Sequence, residues 1–555
     1  MAYSSKLLAQ LVTQICIENK VLTSVISPGS RNAPLIISFT ACAALKTYQI
    51  VDERCAAFFA LGLAQQTQKP VVIFCTSGSA LLNYYPAIAE AFYSNIPLIV
   101  VSADRPSDKI DIGDGQTIRQ ENVFLNHSLY NANLIEEDAK IDFNCAEILN
   151  AFKTAILKKG PVHINIPFEE PLYNTDFEWH LPAHLNLKLN LKKPLSPNNQ
   201  ALNAIKNWNE SAKKMILVGV NQPDKRLNKL LASLAADPSV IILTETTSNV
   251  YHSDFVNTID NLIFSLTDIQ LKTLKPNYLL TLGGMVVSKR IKQFLRTFKP
   301  NFHWHLSEFN APDTYFCLSG QVAMPSTDFL SELIASNKAI ESHFKADWLS
   351  RKARVEGAHN DFMTRVPHCD LAVFNEIIKA LPKNINLQLA NSSVIRYAQL
   401  FHINNTIKVF CNRGTSGIDG STSTAIGAAC AVDAQTVFIT GDLSFFYDSN
   451  ALWNNYVPKN FKIILINNGG GGIFRILPGP QSTNALDFFE APHQFTAEHL
   501  CAMYHFEYRL LEHLDGLINE LPKFFTNKKG PSLLEIKTPR TLNDKVLKEY
   551  FKILR

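Results

Sequence analysis

Short, β-rich apolar runs separated by helix-patterned stretches are what most constrain the fold of this chain. From Val21 to about Asn174 they fall at Leu22 to Ile26, Gln49 to Val51, Val71 to Cys75, Leu98 to Ser102 and Val162 to Ile166. Continuous apolar strands with helices between them predict βαβ units and a parallel sheet covered on both faces. A second set follows at Met215 to Val218, Val240 to Leu243, Tyr278 to Leu282 and Phe302 to Leu306. A third lies at Ile385 to Leu389, Ile407 to Phe410, Thr436 to Thr440, Lys462 to Ile466 and Ser532 to Lys537. The stretch Trp179 to Asn199, with Pro182, Pro194 and Pro197 among polar residues, reads as a linker, and Lys345 to Asp361 as a polar helix near the end of the second block. At roughly 150 residues per domain, the 555 residues fit three α/β domains with doubly wound parallel sheets. Their expected bounds are 1–178, then the linker 179–199, then 200–345 and 346–555.

Composition narrows the class. Hydrophobic residues make up 46% and charged residues 18%, enough apolar material for large cores and against disorder. Lys plus Arg number 53 against 49 Asp plus Glu, so the net charge of +4 provides no broad field for a nucleic acid, and any cationic site must be local. No apolar run approaches the roughly 20 residues that span a bilayer, and Leu7, Leu8, Leu11, Val12 and Ile15 mark an amphipathic first helix, not a signal peptide. The ten cysteines form no C-x-x-C pair, which fits a reduced, cytoplasmic protein without a metal cage or disulfide framework. No G-x-G-x-x-G follows a strand in the middle block, so neither flavin nor nicotinamide is expected there.

Two strand ends carry the sharpest chemical signal. T-V-F-I-T-G-D-L-S, Thr436 to Ser444, and K-I-I-L-I-N-N-G-G-G-G, Lys462 to Gly472, each end an apolar strand in polar ligand atoms, one crossover apart. Ligands bind beyond the carboxyl ends of parallel strands, where Asp442 and Asn468 would bring hard oxygen donors suited to a divalent cation and a diphosphate. Each segment read alone is equally a turn and helix start, or a flexible glycine loop. In the first block a strand turns into a helix at Asp52-Glu53. The plain reading is that Asp52 caps that helix and Glu53 favours its first turn.

The paired segments resemble the fingerprint of the thiamine-diphosphate enzyme superfamily, with Leu443 where that fingerprint has a second glycine. The resemblance implies pyrimidine-binding, central and diphosphate-binding domains. It implies that Asp442, the Asn468 side chain and the Gly470 carbonyl hold Mg²⁺ or Mn²⁺, and that Glu53 faces the aminopyrimidine and activates the cofactor. Thr76, Ser77 and Gly78 would lie beside the pyrimidine, and Leu443, Ser444, Ile473 and Phe474 beside the rest of the cofactor. Ile418 matches the bulky residue that props the cofactor in its bent shape. A homodimer or homotetramer with active sites at the subunit interface is implied as well.

Within the superfamily, S-P-G-S-R-N-A-P-L (Ser27 to Leu35), S-A-D-R-P (Ser102 to Pro106), G-D-G-Q-T-I-R-Q (Gly113 to Gln120), S-K-R (Ser288 to Arg290), N-S-S-V-I-R (Asn391 to Arg396) and N-R-G-T-S-G-I-D-G (Asn412 to Gly420) are similar to the 2-succinyl-5-enolpyruvyl-6-hydroxy-3-cyclohexene-1-carboxylate synthase family of menaquinone biosynthesis. That similarity implies two small-molecule substrates, 2-oxoglutarate and isochorismate, and loss of carbon dioxide from the first. An acetolactate-synthase-like or simple 2-oxo acid decarboxylase is the alternative. Two dicarboxylates bring four negative charges into one cleft, which cations must meet, arginine bidentately. By the match, Arg31, Arg105, Lys289, Arg396 and Arg413 are the carboxylate partners, and Ser30, Gln116 and Ser392 add hydrogen bonds. The middle block, where S-K-R is nearly the only matching segment, is expected to be mainly architectural.

Overall fold

The computed structural model describes residues 2–191, 199–477 and 479–555. They form three sheets. In spatial order the first runs Lys46–Gln49, Thr23–Ile26, Val71–Cys75, Leu98–Asp104, Val162–Pro167 and Asn131–Asn133, every neighbouring pair parallel. The second, also fully parallel, runs Val240–Thr244, Lys214–Val218, Tyr278–Leu282, Phe302–Leu306 and Gly320–Val322. The third runs Lys408–Cys411, Asn386–Leu389, Thr436–Gly441, Phe461–Asn467, Ser532–Lys537 and Glu507–Leu511. A short antiparallel pair, Tyr3–Ser4 with Thr175–Asp176, closes the first block at its rim.

The central strands are buried along their whole length, as apolar runs covered by helices on both faces must be. Edge strands vary, and Val240–Thr244 is as buried as the central ones. The run expected at Gln49 to Val51 is a strand at Lys46–Gln49, with its two end residues exposed, and Ile50 and Val51 already belong to the turn into the next helix. Three strands that the apolar pattern did not mark, Asn131–Asn133, Gly320–Val322 and Glu507–Leu511, all lie at sheet edges. A half-solvated edge needs no continuous apolar run. The polar stretch expected as a helix is one, Phe344–Met363.

Contacts divide the described residues into two compact units, one built from residues up to 191 with 412–436 and 444–461, the other from the described residues of 199–411, 437–443 and 462–555. In the first unit, Leu181, Leu185, Leu187 and Leu189 pack on the apolar core, and Asn19 bonds to both Leu187 O (2.7 Å) and Leu189 N (2.8 Å). The proline-bearing segment is therefore tied down that far; Pro194 and Pro197 lie outside the described residues.

The same unit is welded by two helices, Glu53–Thr67 and Ser421–Ala431, whose backbones touch. A Cβ on Gly62 would sit 2.1 Å from Thr424 O, and one on Gly427 2.0 Å from Phe59 O. Such approach is open only to glycine. Gly427→Ala would gain about 1 kcal/mol of helix propensity but force two backbones apart. We expect a net destabilisation of about 3 kcal/mol, read as a lowered thermal midpoint. A midpoint at or above wild type would refute this reading of the contact.

Candidate active site

In each sheet the chain leaves one central strand to opposite sides, and ligands gather where the strand order so reverses. In the first sheet that point lies between Thr23–Ile26 and Val71–Cys75. The segments Ser27 to Arg31 and Thr76 to Gly78 leave those two strands side by side. Thr76 Oγ1 accepts from Arg31 N (3.3 Å), and a Cβ on Gly29 would collide with the Thr76 side chain at 2.3 Å. Ser77 Oγ donates to Gln116 O (2.9 Å), Gln116 Nε2 donates to Ser77 O (3.3 Å), and Gly78, at φ 86°, donates its N–H to Gln120 Oε1 (2.8 Å).

The cations there are in unlike settings. Arg31 is buried, its guanidinium held by Phe168 O (2.7 Å) and Glu170 (3.4 Å). Burial, then the charge of nearby Arg105, lowers its pKa, and the acidic neighbours oppose the fall. Arg105 pairs with Asp114 (3.3 Å), while its Nε meets no partner among the described residues. It borders an open cleft of about 910 Å³ with Asp104, Arg119, Gln120 and Glu136. Ser30 and Gln116 are exposed.

Glu53 is the first residue of the helix Glu53–Thr67, and Asp52 caps it by accepting from Cys55 N (3.0 Å). Glu53 is half-buried, and desolvation raises its carboxyl above the ordinary value, with Asp52 adding to the rise. Its charge is felt by Cys75 at the end of the central strand and by buried Tyr84. Asp52 therefore carries the cap, and Glu53 stands beside it with its carboxyl raised by desolvation.

The segment Asn412 to Gly420, which carries Arg413 and Ile418, is held in the same unit by a residue that the sequence did not single out. Glu90 is buried, and its carboxylate accepts from Gly414 N (2.7 Å), Thr415 N (2.6 Å), Thr415 Oγ1 (2.9 Å) and Ser94 Oγ (2.7 Å). Its only sequence signal is a carboxylate inside an otherwise apolar helix. Ser444 Oγ donates to Ile418 O (3.0 Å). Glu90→Gln would present an N–H to donors that need an acceptor; we expect a loss of about 2 kcal/mol, measured by urea unfolding. An unchanged midpoint would dismiss the clamp.

In the second unit the reversal in the third sheet lies between Asn386–Leu389 and Thr436–Gly441. Ser392, at φ 67°, and Asp442 leave those neighbours. Asp442 is buried; its Oδ1 accepts from Leu443 N (2.7 Å) and its Oδ2 from Gly470 N (2.9 Å), with His493 Nε2 at 3.4 Å. Gly470 stands at φ 143°, and a Cβ there would meet Glu490 O at 2.6 Å. Asn468 Nδ2 donates to Asp370 Oδ2 (3.0 Å), and Asp370 Oδ1 accepts from Thr538 (2.6 Å). This bond assigns nitrogen to the Asp370 side of the amide and turns its oxygen the other way. Burial pushes the Asp370 carboxyl up to about 6, the Asp442 charge adds to the rise, and the Thr538 and Asn468 bonds oppose it. Asp370 was not foreseen: nothing local links it to a loop so distant in sequence.

Among the described residues no cluster of three His, Cys, Asp or Glu could hold a metal alone. One carboxylate, one amide oxygen and one carbonyl are nevertheless a hard-oxygen set, which fits Mg²⁺ or Mn²⁺ once phosphate oxygens and water complete the shell.

Lys289 and Arg396 meet around one cavity of about 290 Å³ in this unit, with Asp260, Ser288, Arg290 and Ile473 also in its wall. Arg396 donates to Ser392 O (2.6 Å), and Arg290 lies 4.0 Å over the Phe264 ring. Phe474 turns to Phe489 at 5.5 Å. The central block thus supplies Asp260, Ser288, Lys289 and Arg290 to the wall of this cavity.

Residues 7–125 match the family model described as "Thiamine pyrophosphate enzyme, N-terminal TPP binding domain", and residues 391–536 match its C-terminal TPP binding domain counterpart. Benzoylformate decarboxylase from Polynucleobacter necessarius is similar in fold, with a TM-score of 0.71 at 16% identity over 96% of this chain and 99% of that one. The fold and the strand-end loops define a thiamine-pyrophosphate-dependent enzyme. At finer grain, the chain is 53% identical to the 2-succinyl-5-enolpyruvyl-6-hydroxy-3-cyclohexene-1-carboxylate synthase of Flavobacterium johnsoniae and 51% identical to that of Flavobacterium psychrophilum, over 100% of each chain. It is 48% identical to that of Christiangramia forsetii over the same full span. The chain belongs to the 2-succinyl-5-enolpyruvyl-6-hydroxy-3-cyclohexene-1-carboxylate synthase family.

Proposed function

We propose that this enzyme decarboxylates 2-oxoglutarate and joins the remaining four-carbon unit to isochorismate, forming 2-succinyl-5-enolpyruvyl-6-hydroxy-3-cyclohexene-1-carboxylate in menaquinone biosynthesis. Full-length identity to synthases of that name carries the reading. The grouping of Lys289 with Arg396, and of Arg31 near Arg105, supports it, because both substrates are dicarboxylates. When bound, thiamine diphosphate supplies the electron sink that lets carbon dioxide leave. Asp442, Asn468 through its oxygen, and the Gly470 carbonyl would hold Mg²⁺ or Mn²⁺ against the diphosphate. Leu443, Ser444, Ile473 and Phe474 would line that end, and Ile418 would prop the cofactor.

Glu53 would hold a proton toward the aminopyrimidine, and its raised pKa keeps that proton available nearer neutral pH. Thr76, Ser77 and Gly78 would shape the pyrimidine side. Arg31, Arg105, Lys289, Arg396 and Arg413 would neutralise substrate carboxylates, and Ser30, Gln116 and Ser392 would orient them. The working form would be a cytoplasmic homodimer or homotetramer with sites at the subunit interface. Among the described residues no helix is long and apolar enough to cross a membrane.

The test is purified protein with thiamine diphosphate, Mg²⁺, 2-oxoglutarate and isochorismate, followed by carbon dioxide release and ring absorbance. Both substrates should be consumed together. Turnover of pyruvate without isochorismate would replace this reading by an acetolactate-synthase-like or simple decarboxylase one.

A further inference from the structure

We propose that Glu245 is a positioning residue for substrate binding: a buried carboxylate of the central sheet that sets the turn presenting Lys289 to the dicarboxylate cavity. This deepens the function proposed above and rests on it. Glu245 directly follows the strand Val240–Thr244 and is 2% exposed. Its two carboxylate oxygens divide between two successive amides, Oε2 accepting from Val287 N (2.7 Å) and Oε1 from Ser288 N (2.8 Å). The residue is itself braced: its side chain also accepts from Ser248 N, its own N–H donates to Ser248 Oγ (2.8 Å), and that hydroxyl donates to Val218 O (2.6 Å) on the neighbouring strand.

The turn so held leads straight into the helix Lys289–Thr297. Ser288 Oγ accepts from Ile291 N (3.0 Å) and donates to Asp260, so the hydroxyl is committed on both sides. Two clamped amides and a committed cap leave the backbone before Lys289 no rotational freedom, and the direction of its Cα–Cβ bond follows. Lys289 lines the cavity and Glu245 does not. Glu245 therefore acts through the turn, and its burial keeps its negative charge away from substrate carboxylates. Lysine is a flexible point charge, so a fixed base is what directs it.

The physical demand is for a carboxylate, since two adjacent N–H groups aimed at one side chain need two acceptors. Glutamine has the same shape, retains one acceptor and turns an NH₂ against the other amide. The central sheet supplies this device at its carboxyl end even though its own crevice is closed: a Cβ on Gly219 would meet Gly284 O at 2.0 Å, and Gly284 N bonds to Val220 O (2.7 Å).

The test is a double-mutant cycle on the enzyme loaded with thiamine diphosphate and Mg²⁺. Calorimetry would follow binding of two dicarboxylate probes, glutarate and chorismate, to wild type, Glu245→Gln, Lys289→Ala and the double variant. Glu245→Gln should weaken at least one probe about tenfold. The double variant should bind within about twofold of Lys289→Ala alone, because a residue acting only through Lys289 has nothing left to position. In turnover, KM for the corresponding substrate should rise while kcat stays within about threefold. Additive losses in the cycle, unchanged affinity in Glu245→Gln, or a uniform collapse of folding, cofactor binding and kcat would each overturn the proposal. Failure of the wild type to consume isochorismate would instead sink the proposed function, since the cycle is read on binding alone.

Discussion

Glu53→Gln should lower turnover by about a thousandfold while leaving the fold and Mg²⁺-dependent cofactor binding close to wild type. Glutamine keeps the length of the side chain, and the helix start is secured independently by Asp52, whose carboxylate accepts from Cys55 N and from Asn450 (2.9 Å). What the variant loses is an exchangeable proton. The native carboxyl is half-buried, and desolvation raises its pKa, so a larger fraction of it is protonated at a given pH than in water. An amide cannot exchange a proton in that way at any working pH. Calorimetric titration with thiamine diphosphate, beside a carbon dioxide assay, separates binding from chemistry. Retained activity would remove Glu53 from its role, and lost cofactor binding would make its role structural.

Asp442→Ala should abolish metal-dependent cofactor binding. Removing an outer partner of a metal ligand typically weakens metal binding about 10–100-fold, and loss of the only proposed carboxylate ligand should exceed that. The change also strips acceptors from Leu443 N and Gly470 N, which lie in the segments proposed to cradle the diphosphate. Asp442→Asn separates the two effects. An amide oxygen can still accept from Gly470 N, though Leu443 N loses its acceptor, and the charge is gone, so the variant should keep the Gly470 contact and still lose metal. Mn²⁺ titration followed by electron paramagnetic resonance reads this without turnover, and wild-type Mn²⁺ affinity in Asp442→Asn would exclude Asp442 as a ligand. The two inactive variants also address assembly: activity recovered on mixing Glu53→Gln with Asp442→Ala would mean that one site draws these residues from different subunits, and no recovery would count against a shared interface.

The buried strands were legible because each is a continuous apolar run: Val71 to Cys75 and Tyr278 to Leu282 lie where the pattern put them. Among edge strands, Val240–Thr244 and Lys408–Cys411 were legible for the same reason, while Glu507–Leu511 and Asn131–Asn133 were not, because each needs apolar side chains on one face at most. Among the candidate site residues, Asp442 and Asn468 stood out through glycine-rich strand ends. Glu90, Glu245 and Asp370 did not, since each acts on a segment remote in sequence: Glu90 on Gly414 and Thr415, Glu245 on Val287 and Ser288, Asp370 on Asn468.

What the sequence determined by itself is local: apolar periodicity set the βαβ alternation, Asp52 set a helix start, and the motif segments set the cofactor class. Only the tertiary structure decided which loops become neighbours. Strand order put Ser27 to Arg31 beside Thr76 to Gly78, and brought Lys289 of the middle block into one cavity with Arg396 of the third. The physical reason is that a buried carboxylate must find its donors wherever packing delivers them, so the groups that aim a site are chosen by proximity in space and leave no spacing in the chain.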